Sequence, residues 1–210
     1  MKTKNKQMKT GCAATLLGLI GFFSCVENDE VFTTADPDLV YAEDILEIEN
    51  YFTEIGINDF DTTQTGVRYK IMETGDGKSV ENANDVTLEY TAYLTSGEIL
   101  SSSLQAVVDT TELDDLDDPI IFTHTFNGFG LDDLFNKRTG GFQTNGFRDA
   151  VTTILNNSYN NDGLKLNGSA IIGIPSKLSI VTIYGETGIA RVIDYRRVVL
   201  CQIILTNITE

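Results

Sequence analysis

Val86-Thr87-Leu88-Glu89-Tyr90-Thr91-Ala92-Tyr93-Leu94 is the stretch on which the fold turns. Val86, Leu88, Tyr90, Ala92 and Leu94 recur at every second position, with Thr87, Glu89, Thr91 and Tyr93 between them. Successive side chains of a strand point to opposite faces, so the alternation specifies a strand with one apolar face turned to a core. Upstream, Val67, Tyr69 and Ile71 alternate with Arg68, Lys70 and Met72, and a Gly75-Asp76-Gly77 turn lies between the two strands. Downstream, Ser96-Gly97 turns the chain toward Ile99-Leu100.

Further out the pattern stays β-rich. Gly168 to Ile174 reads as a buried strand stopped by Pro175. Val198 to Leu205 is almost wholly apolar, which predicts a central strand covered on both faces. Asn145 is expected to cap a short helix with Phe147, Val151 and Ile154 on one face, ended by Asn156 to Asn161. Before the strands, Ile45, Ile48, Phe52 and Ile55 recur at spacings of three and four, with Leu46 and Tyr51 beside them. They predict an amphipathic helix within 39–57, closed near Gly56. Its acids Glu43, Asp44, Glu47 and Glu49 are expected to face solvent.

Two long inserts separate these elements, near 104–118 and 123–145. Residues 109–118 carry six acids: Asp109, Glu112, Asp114, Asp115, Asp117 and Asp118. No Asp-x-Asp-x-Asp-Gly loop closed by a Glu is present, so a solvated loop is expected there rather than a Ca²⁺ site. The second insert is rich in Gly, Asn, Thr and Phe. Phe126, Phe129, Leu131 and Phe135 are expected to pin it to the body.

At 210 residues, 41% apolar and 22% charged, the chain can bury the core of one ordinary domain and still carry extensions. A net charge of −16 excludes a broad phosphate-binding surface and with it a nucleic-acid partner. Three Cys, one His and no Trp argue against a disulfide framework or zinc cluster. Lys2, Lys4, Lys6 and Lys9 precede an apolar run from Gly11 to Phe23 that is too short to span a bilayer. Residues 1–24 therefore read as a secretory signal. Ser24-Cys25 resembles a bacterial lipobox, which would make Cys25 the lipidated first residue of the mature chain. Removing four of the 15 basic residues leaves 11 against 31 acids, net −20, so an acyl anchor rather than a basic patch would hold the protein to a membrane. Residues 25–38 then form an acidic tether, 39–62 a helix and linker, and 63–210 the folded domain.

The order of pieces in that domain is itself informative. It runs Gly66-Val67-Arg68-Tyr69-Lys70, Val86 to Thr91, Gly97-Glu98-Ile99-Leu100-Ser101-Ser102-Ser103 and Pro119-Ile120-Ile121-Phe122. Gly146-Phe147-Arg148-Asp149-Ala150-Val151, Ile174-Pro175-Ser176 leading to Tyr184-Gly185, and Val198 to Ile208 complete it. This series resembles the FKBP family of peptidyl-prolyl cis–trans isomerases, in the lipoprotein form of Bacteroidota, over about residues 63–208. The resemblance implies an α+β fold, a twisted antiparallel sheet wrapped around one short helix with a shallow apolar pocket between them. It implies an envelope-anchored monomer that needs no cofactor or metal and acts on proline-containing polypeptide clients.

It also implies a site. Tyr90 and Tyr184 stand at the pocket tyrosines and Phe147 at the floor, where the family usually has Trp. Thr144 matches the position whose backbone N–H binds ligand, and Ile193 an apolar wall residue. Asp194 and Tyr195 follow Ile193 in place of a Pro-Pro pair. Leu100, Ile120 and Cys201 each replace a family Phe, and Ser101 replaces the pocket Asp. Extra residues also lie between Leu178 and Tyr184. These replacements keep a second reading open, a binding or chaperone module on the same frame. His124 has no acid and nucleophile at a recognisable spacing and is given no catalytic role.

Overall fold

In the computed structural model the first helix, α1, runs from Pro37 to Glu54. The structure describes residues 37–111, 113, 116–124, 144–158, 163–184, 190–194 and 197–209, with residues 158, 180–184 and 190–194 through their backbone only. The signal, Cys25 and nearly all of the tether lie outside these residues, as does most of the second insert with its phenylalanines. Proline suits a first helical turn, where the N–H it lacks would have no partner, so α1 begins inside the stretch read as a tether.

Nine strands and three helices follow one another in the described chain. After α1 come β1 (Asp61–Thr62), β2 (Arg68–Glu73), β3 (Asp85–Leu94) and β4 (Ile99–Ser102). A single helical turn, α2 (Gln105–Val108), and β5 (Ile120–Thr123) lead to α3 (Asn145–Ser158). Then follow β6 (Ser169–Ile174), a 3₁₀ turn at Ser176–Leu178, β7 (Ile180–Tyr184), β8 (Ala190–Asp194) and β9 (Val199–Thr209). The main sheet is antiparallel in the order β1-β2-β6-β9-β3-β4, and β7 and β8 form a separate hairpin. β3 is long enough to take two partners on one edge: β5 pairs with 85–88 and β4 with 91–93. This is the α+β architecture expected from the sequence, an antiparallel sheet around one short helix with a helix before it.

The alternation in β3 produces the core. Val86, Leu88, Tyr90, Ala92 and Leu94 are all buried and face α3, whose Phe147, Ala150, Val151 and Ile154 pack in the same cluster. On β9 the inward residues are Val199, Cys201, Ile203 and Leu205. α1 covers the other face of the sheet, where Ile48 and Phe52 pack on Ile171, Val198 and Leu200. Gly173 makes this contact possible, because a Cβ there would lie 2.3 Å from Cγ2 of Ile48.

Four expectations are corrected. β9 is central, but it is covered on both faces only at its start, since Gln202 and Thr206 are exposed beyond the end of α1. Two acids of α1 are not on a solvated face. Asp44 is buried and accepts hydrogen bonds from the backbone N–H of Ser176 at 2.9 Å and its hydroxyl at 2.6 Å. Glu49 pairs with Arg68 at 2.9 Å. The apolar stripe of α1 is also narrower than its spacing suggested, with Leu46 58% exposed and Ile55 beyond the helix end and exposed. Finally, the cap of α3 is Thr144 rather than Asn145, for its hydroxyl accepts from the Phe147 N–H at 3.0 Å.

Candidate active site

Register fixes which residues meet on the inner face. Ala92 pairs with Ser101 on one side and with Cys201 on the other, and Cys201 pairs in turn with Ile172. One row of inward positions therefore crosses β4, β3, β9 and β6. Tyr90 begins the next row, opposite Ile203. The register of β3 against β4 shifts between Ala92 and Tyr93, whose partners Ser101 and Ile99 skip Leu100. That irregularity falls at Leu100, which is left without a partner residue across from it on β3.

Tyr90 is held at both ends. Its N–H donates to the Ser103 hydroxyl at 2.9 Å, and its carbonyl accepts from the Ser102 hydroxyl at 3.1 Å. Its phenol oxygen lies 2.7 Å from the Ser101 hydroxyl and donates to the Asp117 carboxylate at 3.0 Å. The Ser101 hydroxyl also donates to the same carboxylate oxygen. Ser101-Ser102-Ser103 thus binds Tyr90 at its hydroxyl, its carbonyl and its N–H. Asp117 corrects the reading of 109–118 as wholly solvated, since this acid returns to the sheet. Sequence gave no signal for it, because nothing in an acidic run marks which member folds back.

Phe147 enters the same cluster from the first turn of α3. Gly146 lets that turn sit close to the sheet, because a Cβ there would lie 2.6 Å from Cγ2 of Ile174. Ile120 is buried in the cluster beside Leu88, with which it pairs, and Leu100 packs against it half-buried. Cys201 is fully buried, and burial pushes its thiol up, away from the reactive thiolate. Tyr90, Phe147, Ile120 and Cys201 belong to the one large buried cluster, with Leu100 packed against it and Ser101 tied to Tyr90. Thr144 sits at the end of α3 as its cap, buried. Tyr184 and Ile193 belong to the hairpin, where Tyr184 pairs with Ala190 and Ile193 with Val181. Their side chains lie outside the described structure.

Two open hollows occur elsewhere among the described residues. One, of about 350 Å³, lies along α1 between Leu46, Tyr51, Glu47 and Thr95. The other, of about 400 Å³, lies between the β3–β4 turn and Thr111 and Leu113. No group of three or more His, Cys, Asp or Glu side chains that could hold a metal ion is found among the described residues. No helix among them is long and apolar enough to cross a membrane.

Neither a protein-family model nor a curated protein sequence matches the chain. Solved structures similar to it include FkpA from Escherichia coli, at 18% identity and a TM-score of 0.44, covering 82% of this chain and 62% of that one. The chain thus spans rather less than two thirds of that protein. A peptidyl-prolyl cis-trans isomerase from Pseudomonas syringae pv. tomato is similar at 15% identity and a TM-score of 0.45, covering 84% of this chain and 98% of that one. The N-terminal domain of FKBP42 from Arabidopsis thaliana is similar at 13% and 0.40, covering 73% and 94%. The likeness is one of fold, and the chemistry of the site rests on the side chains described above.

Proposed function

We propose that the chain is a peptidyl-prolyl cis–trans isomerase of the FKBP type that acts on X–Pro bonds of exported proteins. The observation that supports this reading is that Tyr90 and Phe147 both belong to the buried apolar cluster between sheet and helix, with the phenol end of Tyr90 tied to polar groups at the sheet edge. Rotation about an X–Pro bond meets a barrier of about 18–20 kcal/mol because amide resonance has to be broken. A protein lowers that barrier by binding the twisted amide better than the planar one. The twisted bond is the less polar of the two, so an apolar, water-poor surface favours it. Rings hold the proline and a few polar groups hold the flanking peptide. Phe147, Leu100, Ile120 and Cys201 supply the apolar side here. Tyr184 and Ile193 complete the wall in this proposal, and the Thr144 N–H takes a substrate carbonyl. Bond rotation needs no nucleophile, metal or cofactor. The proposal includes an acyl anchor on Cys25 and a monomer at the envelope.

An NMR exchange or protease-coupled assay on an X–Pro peptide tests it. The folded chain should speed an exchange that otherwise takes tens to hundreds of seconds. Phe147→Leu, which keeps bulk and removes the ring, should lower kcat/KM by about tenfold, or roughly 1.4 kcal/mol of transition-state binding. A rate equal to the spontaneous one with folded protein in excess would sink the reading.

One observation favours a binding or chaperone module instead. Tyr90 and Phe147 are 0% and 2% exposed, so their neighbours must move before a proline could reach them. That alternative expects suppression of client aggregation, unchanged in Phe147→Leu, together with no isomerase activity.

A further inference from the structure

The loop that leads from α2 into β5 brings one carboxylate back to the sheet. Asp117 is held by backbone and side chain at once. Its N–H donates to the Ser102 carbonyl at 2.9 Å, which fixes the loop along β4. Its Oδ2 accepts from the Tyr90 hydroxyl at 3.0 Å and from the Ser101 hydroxyl. The two hydroxyl oxygens lie 2.7 Å apart, so three oxygens share one small space. Each hydroxyl has one proton to give and an ionised carboxylate has none. The arrangement is satisfied when both protons point at Asp117, and bonds to a charged acceptor are roughly twice as strong as neutral ones. A side chain without an acceptor at 117 would remove the partner that the Tyr90 and Ser101 hydroxyls share.

We infer that Asp117 is the positioning residue of this site. It orients the Tyr90 phenol and the Ser101 hydroxyl, and it supplies at the rim of the apolar cluster the negative charge that position 101 does not. The inference rests on the isomerase reading and deepens it, since it assigns the site's carboxylate to an insert rather than to the strand. A serine at 101 is then half of a two-part group, completed from 16 residues downstream.

The test uses the full chain. Asp117→Ala should lower kcat/KM for an X–Pro peptide by about tenfold, the size of a lost hydrogen bond to a charged group. The loss should fall mainly on kcat and persist at temperatures where the Asp117→Ala chain is still fully folded. Ser101→Asp in the Asp117→Ala background should restore most of the activity, which a merely structural loop contact would not allow. Unchanged activity in Asp117→Ala, or a loss that Ser101→Asp leaves uncorrected in a folded double variant, overturns the inference. Should the double variant not fold, Asp117→Asn decides, because it keeps shape and an acceptor but removes the charge; activity equal to the parent's overturns the inference. A second readout separates this inference from the isomerase reading. With carbon-13 at tyrosine Cζ, the Tyr90 signal should move upfield in Asp117→Asn whether or not the parent is an isomerase. An inactive parent with that shift removes the isomerase reading and keeps Asp117 as the organiser of Tyr90. An unmoved signal removes the inference itself.

Discussion

His124 is fully buried just past β5, where its N–H donates to the Asn84 carbonyl at 2.8 Å and its carbonyl accepts from the Ala83 N–H at 2.8 Å. Burial disfavours the charged ring, which lowers its pKa below the ordinary 6.5. The consequence for stability has a definite sign. Above pH 6.5 the ring is neutral in both folded and unfolded chains and the difference vanishes. Below that value the unfolded chain takes up a proton that the folded chain refuses, so stability falls as pH falls. Asp59, on its ion pair with Lys70, also loses stabilisation on acidification, but only near and below its ordinary 3.8. Between pH 6.5 and 5 the histidine should therefore dominate. Each unit by which its pKa is lowered is worth at most about 1.4 kcal/mol. Urea midpoints measured across that window should drop in the parent and stay flat in His124→Leu. A parent midpoint that is level from pH 7 to pH 5 would contradict this account.

At the scale of elements, α1 is the piece whose role sequence described least well. The period of its apolar residues predicted a helix, and Ile48 and Phe52 do bury against the sheet. Periodicity reports that a face is covered but not what covers it, so Asp44 and Glu49 read as solvated. Their partners, Ser176 and Arg68, lie 132 and 19 residues away. The same limit hid Asp117, whose partner Tyr90 is 27 residues distant on β3. β3, β6 and β9 were legible because alternation or an unbroken apolar run is a local consequence of burial. α2, with four residues, offers no period to read. The site was legible to the extent that it lies on these strands and α3. Two substitutions test how α1 is held. Asp44→Ala removes both hydrogen bonds from Ser176 and should cost about 1–3 kcal/mol. Gly173→Ala drives a methyl into Ile48 and should cost a similar 1–3 kcal/mol by overpacking. In both, hydrogen exchange should quicken across 37–54 more than across β3 and β9. Uniform quickening throughout the sheet would mean that α1 is part of the main cooperative core rather than a layer laid on it.

At the scale of the whole molecule, charge and anchorage have to be considered together. The chain without residues 1–24 carries a net −20, and anionic headgroups repel it. Repulsion between exposed charges is screened beyond about 8 Å at physiological salt and about 30 Å at 0.01 M. Eleven residues lie between Cys25 and Pro37, where α1 begins. At full extension these twelve steps of chain reach about 40 Å, longer than either screening length. The proposed acyl anchor on Cys25 would hold so acidic a chain at a membrane without a basic patch. Two outcomes follow from the proposed anchor. Cys25→Ser should move it from the membrane to the soluble fraction at every salt concentration, with the isomerase assay unchanged, since the anchor lies far in sequence from β3 and α3. Shortening 26–36 by eight residues should leave the lipidated protein membrane-bound but make its retention salt-sensitive, weakest at low ionic strength. If Cys25→Ser remains in the membrane fraction, something other than a lipid on that cysteine holds it there, and with this much negative charge a direct electrostatic bond to the headgroups cannot be the substitute.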